Sequence, residues 1–67
     1  MGAIEKIKTM IEQEIAARDA VAAQIAGTDD AIQLTALIAE YGCHCAALSA
    51  FMASIEAIEE EQETGNE

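Results

Sequence analysis

Apolar residues recur at spacings of three and four through two stretches of this 67-residue chain, separated by a four-residue polar break. In the first, from Ala3 to Ala26, Ile4, Ile7, Ile11, Ile15, Val21 or Ala22, and Ile25 fall on one side of a helix. In the second, the stripe is Leu34, Leu37 or Ile38, Tyr41, His44 or Cys45, Leu48, Phe51 or Met52, Ile55 and Ile58. Between them lies Gly27-Thr28-Asp29-Asp30. Glycine suits the left-handed position just past a helix C-terminus, and Thr28 offers an N-cap hydroxyl with two acids in the first turn of the next helix. The pattern predicts a helix over 3–26, a turn over 27–30 and a helix over 30–62 that frays near Gln62. Residues 1–62 thus form an antiparallel helical hairpin, and residues 63–67 an acidic, disordered tail.

Both helices carry a second, small-residue face. Ala16, Ala20 and Ala23 recur on the first, and Ala39, Gly42 or Cys43, Ala46, Ala50, Ala53 and Ala57 on the second. Small side chains let helix axes approach closely, and a helix apolar on two faces needs neighbours on both. A lone hairpin of helices about 36 and 45 Å long leaves about half of its apolar surface wet. The expected solution is all-α: two hairpins paired as a homodimeric four-helix bundle, or a higher oligomer, with the small residues Ala39 to Ala57 as the interface. In outline this resembles the Rop family of plasmid copy-control proteins, which are also short dimeric helical hairpins ending in an acidic tail. The likeness is architectural, without a shared motif, and the RNA-binding role of that family needs a basic face that Lys6, Lys8 and Arg18 do not supply.

Composition strengthens the helical reading: 15 residues are alanine, proline is absent and only four residues are glycine. Charge changes the picture more. Thirteen acids against three bases give a formal net charge of −10, which repels phosphates and anionic membranes and favours a basic protein partner. From Ala31 to Ile55 the only formal charge is Glu40, a length sufficient to span a bilayer. Acids rather than Lys or Arg flank that segment at both ends, and it is rich in alanine, so a helix surrounded by other helices is expected instead of a membrane span. Two cysteines are too few for a secreted disulfide framework, and no basic n-region precedes an apolar h-region; a cytoplasmic setting is expected.

The chemically suggestive stretch is Cys43-His44-Cys45. Successive helical residues project about 100° apart, so the two cysteines face nearly opposite ways and cannot share one metal or bond to each other within a continuous helix. A zinc or iron site on Cys43, His44 and Cys45 would need ligands from a second chain. Counting back across the turn sets Glu14 opposite residue 43 or 44, and Arg18 opposite residue 39 or 40. The expected arrangement is a polar layer inside the bundle, with Glu14 near His44, and Arg18 near Glu40 or Tyr41. Such groups are tolerated inside when they satisfy one another, and they fix register at a cost in stability.

No phosphate-binding glycine loop, no nucleophile with a base, and no ExxH pair of di-iron bundles is present, since Glu40 and His44 are four apart. The expected function is therefore non-enzymatic and cofactor-free: binding and inhibiting a basic nucleic-acid-handling protein by nucleic-acid mimicry, in the manner of small acidic anti-defence proteins of phages and mobile elements. Glu56, Glu59, Glu60, Glu61 and Glu63 are the candidate contacts. Two other readings follow from the same residues. One is a metal- or ligand-binding bundle built on Tyr41, His44 and the cysteines, and the other a structural subunit assembling through its alanine faces.

Overall fold

A computed structural model describes residues 2–65 as two helices, α1 (Ala3–Gly27) and α2 (Ala31–Gly65), folded back on each other as a hairpin. The described residues contain no strand. The reversal occupies three residues, and its geometry corrects the expected cap. Gly27 is the last helical residue and no glycine among the described residues has a positive φ. The chain leaves α1 instead through Thr28 in an extended conformation (φ −116°, ψ 143°), whose N–H donates to the Ile25 carbonyl at 3.4 Å. Asp30, not Thr28, caps α2: its Oδ1 accepts the Ile32 N–H at 3.0 Å and its carbonyl accepts the Leu34 N–H at 2.8 Å. An acceptor must stand immediately before the first helical residue to reach these amides, and Thr28 lies two positions too early. Its hydroxyl instead accepts the Asp30 N–H at 3.5 Å and donates to Gln33 Oε1 at 3.1 Å, which stiffens the turn.

The inward stripe of each helix alternates spacings of three and four. In α1 it is Ile4, Ile7, Ile11, Glu14, Arg18, Val21 and Ile25; in α2 it is Leu34, Leu37, Tyr41, His44, Leu48, Phe51, Ile55 and Ile58, all buried or half-buried. This is the spacing that keeps one seam facing a partner helix. It resolves the ambiguous positions: Val21, Leu37 and Phe51 face inward, while Ala22, Ile38 and Met52 face out. Contact between Glu14 and His44 sets the register, so Ile25 lies level with Leu34, Arg18 with Tyr41, Ile11 with Leu48, and Ile4 with Ile55.

Helix α2 has 35 residues against 25 in α1, so with Ile4 level with Ile55 its last two turns and more project past the start of α1. The sequence predicts fraying near Gln62 and a disordered tail from residue 63, yet α2 continues to Gly65. Glutamate and glutamine are good helix formers, and their propensity over residues 59–63 outweighs the unfavourable placement of acids at a helix C-terminus. The rest of that tail, residues 66 and 67, lies outside the described residues.

The hairpin is long and thin, 56 × 18 × 11 Å, and buries little. Among the described residues only Val21, Leu37 and Leu48 are buried, at 4%, 7% and 4% exposed. The chain leaves 4878 Å² accessible, whereas a globular monomer of 7.1 kDa exposes about 4,100 Å². The excess, roughly 800 Å², is that of a thin hairpin with one projecting end.

Candidate functional site

Two regions depart from a plain amphipathic hairpin. The first is midway along the seam, where α1 presents Glu14 and α2 presents His44. The imidazole Nδ1–H donates to Glu14 Oε1, with side chains 21% and 24% exposed. One turn earlier on α2, Glu40 places Oε1 3.8 Å from His44 Nε2. The two carboxylates thus bracket opposite ring nitrogens. That arrangement orients the ring and satisfies a polar side chain in an apolar seam, and the cost of desolvating His44 is offset by its partners.

Arg18 and Tyr41 lie at one level of the seam, and both are half-buried. The guanidinium, however, turns to its neighbour in sequence: Nε and Nη2 donate to Asp19 Oδ1 at 3.3 and 3.2 Å. A flexible side chain loses less entropy closing on an adjacent carboxylate at the rim than reaching across to Glu40. The polar layer therefore gathers Glu14, His44 and Glu40, with Arg18 and Tyr41 one turn away.

Both cysteines are thiols, Cys43 exposed and Cys45 half-buried on the flank of the seam. Because α2 is continuous through Gly42, Cys43, His44 and Cys45 diverge. Among the described residues no group of three or more His, Cys, Asp and Glu side chains could hold a metal ion.

The second region is the outside of α2. Ala39, Gly42, Cys43, Ala46, Ala50, Ala53 and Ala57 are all exposed in the hairpin, together with two large apolar side chains, Ile38 at 54% and Met52 at 52%. Ile38 and Met52 were ambiguous in the sequence, and strict three-four alternation was the signal that assigns them outward. Polar side chains along α2 make little demand on solvent. Thr35 and Ser54 turn their hydroxyls back to the carbonyls of Ala31 and Ala50, each at 2.8 Å. Beyond this length, whose one charge is Glu40, the character changes abruptly. Glu56, Glu59, Glu60 and Glu63 share one side of the projecting end and, with Gln62, line an open depression, and Glu61 is exposed beside them.

By length and composition α2 could cross a membrane. Its flanks, Asp29 and Asp30 before and Glu56, Glu59, Glu60, Glu61 and Glu63 after, lack the Lys and Arg that anchor and orient membrane spans. In comparisons with known proteins, no family model matches the chain, and no curated protein or solved structure matches it.

Proposed function

We propose that this protein is a non-enzymatic interaction module that works as a homodimer in the cytoplasm and binds a basic, nucleic-acid-handling protein through its acidic ends. The observation that carries the reading is the division of α2 into an uncharged, exposed length over residues 31–55, with Glu40 its only charge, and a projecting end that bears Glu56, Glu59, Glu60, Glu61 and Glu63. An uncharged exposed length suits contact with another apolar surface. The acidic end suits a groove built for phosphates, because a row of carboxylates on a helix presents closely spaced negative charge without being nucleic acid. In such a partner the module would act as a competitive inhibitor of the kind used by phages and mobile elements against host defences.

The test is titration of a panel of purified basic nucleic-acid-binding proteins, with a DNA oligonucleotide as competitor and salt as the variable. The expected result is binding that DNA displaces and that weakens about tenfold or more as salt passes through the physiological range. Replacing Glu56, Glu59, Glu60 and Glu63 by glutamine should weaken it comparably. Binding indifferent to salt and to these four substitutions would falsify electrostatic mimicry.

A further inference from the structure

The hairpin leaves one side of α2 largely uncovered by the described residues, and one residue on it has no explanation among them. Gly42 sits in the middle of a helix with no positive φ, and a Cβ built there would meet nothing within 4 Å. Glycine in a helix interior costs about 1 kcal/mol relative to alanine, and nothing inside the hairpin requires it. Close approach by something outside the hairpin would.

Around Gly42 the same side of the helix carries Ile38, Ala39, Cys45, Ala46, Ser49, Met52 and Ala53, and Glu40 lies on a different side at about 100° per residue. These positions are symmetric about the midpoint between Cys45 and Ala46. Laid antiparallel on itself about that point, the helix sets Ile38 against Ala53 and Met52 against Ala39, while Gly42 meets Ser49 and Cys45 meets Ala46. Ile38 and Met52 then each face an alanine, the condition for interdigitated packing, and Ile32, 85% exposed, lies beyond this face toward the start of α2. Laid parallel, large side chains meet their own copies and Gly42 meets Gly42, which leaves gaps beside steric clashes.

Charge selects the same arrangement. Parallel docking would stack five glutamates, Glu56 to Glu63, on the same five of the second copy. Antiparallel docking moves the two acidic ends about 40 Å apart, several Debye lengths at physiological salt. It brings each end to the start of the other copy's α2, where the helix dipole favours negative charge and Asp29 and Asp30 oppose it. The face from Ile38 to Ala53 is about 22 Å long, room for four turns of helix-on-helix contact.

We infer that the outer side of α2 docks on the same side of a second copy, antiparallel, with the two-fold axis passing between Cys45 and Ala46. The inference rests on the homodimer part of the proposed function and adds its geometry. It leaves the acidic ends at opposite extremes of the dimer, available to two separate partner molecules.

The experiment combines sedimentation equilibrium of the reduced full chain with disulfide trapping in a Cys43→Ser, Cys45→Ser background. Ala39→Cys and Met52→Cys proteins are oxidised singly and mixed. Antiparallel docking predicts a disulfide in the mixture between positions 39 and 52, and none in either protein alone, because like positions are about 20 Å apart. A dimer that instead traps 39 to 39 and 52 to 52 overturns the inference and leaves the homodimer standing. A monomer at every concentration up to roughly millimolar overturns both, and partition of that monomer into lipid vesicles would give α2 a bilayer as its occupant. Gly42→Leu supplies the independent check. The hairpin has room for the side chain and gains helix propensity, so it stays folded, while association falls about tenfold or more; unchanged association overturns the proposal.

Discussion

The backs of the two helices are built on opposite rules although their fronts are alike. Both present the same three-four stripe to the seam. Behind it, α1 shows water Glu5, Lys6, Lys8, Glu12 and Asp19, all exposed, with alanines and one large apolar side chain, Met10 at 43%, between. Behind its own stripe α2 shows Ile32, Ile38, Met52, alanines, a glycine and a thiol. The back of α1 is mostly charged and the back of α2 mostly apolar, so α2 is the helix with the larger uncovered apolar side. Stability of the hairpin resides in the shared front, and association in the back of α2 alone.

The sharpest way to break that division compares two residues four apart on α2. Leu48 is 4% exposed in the seam and Met52 is 52% exposed behind it. Leu48→Ala should cost about 3 kcal/mol of unfolding free energy at any protein concentration, from lost burial plus an unfilled cavity. Met52→Ala should cost within about 0.5 kcal/mol when the protein is dilute, and should act only on self-association. Chemical denaturation at two protein concentrations a hundredfold apart separates the two. A concentration-independent loss at Met52 as large as that at Leu48 would merge the two surfaces into one core.

The polar layer gives an intermediate effect. His44→Leu removes the donor from Glu14 and leaves a carboxylate in an apolar seam. Since Glu14 remains 24% exposed and can partly hydrate, the loss should be about 1–2 kcal/mol rather than the several expected of a fully buried charge. Glu14→Leu combined with His44→Leu should recover that loss or exceed the parent, because apolar residues of similar volume suit the seam better than a hydrogen-bonded polar pair. A double variant as weak as His44→Leu alone would show that the layer contributes stability itself. A double variant that is stable but sedimentation-heterogeneous would show that the layer holds register.

How much of this was legible in the sequence differs between the same two surfaces. The hairpin followed from two periodic stretches and a glycine-aspartate break, and counting from that break put Glu14 level with His44. Details set by a single residue's geometry were not legible. Composition located the turn at residues 27–30, but whether Gly27 turns left-handed or Thr28 simply extends, and whether Thr28 or Asp30 caps α2, depends on which acceptor reaches the first amides. Arg18 was unreadable for another reason, since a long side chain can close on any nearby carboxylate and it chose Asp19. The back of α2 was legible in its small residues, since Ala39, Gly42, Cys43, Ala46, Ala50, Ala53 and Ala57 are all exposed, but not in its large ones, Ile38 and Met52. A helix apolar nearly all round has almost no direction of its own, and only the placement of α1 against Leu37, His44 and Phe51 separates the occupied side from the open one.

The smallest effect bears most directly on the open side. Gly42→Ala adds one methyl group where the hairpin offers empty space, and alanine is preferred over glycine in a helix interior by about 0.8–1 kcal/mol. In dilute solution the substitution should therefore raise hairpin stability by about that amount, since nothing in α1 opposes it. At concentrations where α2 is docked, the added methyl stands where a second helix approaches Gly42, and the gain should shrink or reverse. The quantity to measure is the dependence of the stabilisation on protein concentration, by thermal or chemical unfolding of both proteins over the same range. A stabilisation constant across that range would mean that nothing approaches Gly42, and the back of α2 would then be no more specialised than the back of α1. A stabilisation that fades as the protein concentrates would locate the close approach at this one backbone position, which no comparison of large side chains can do.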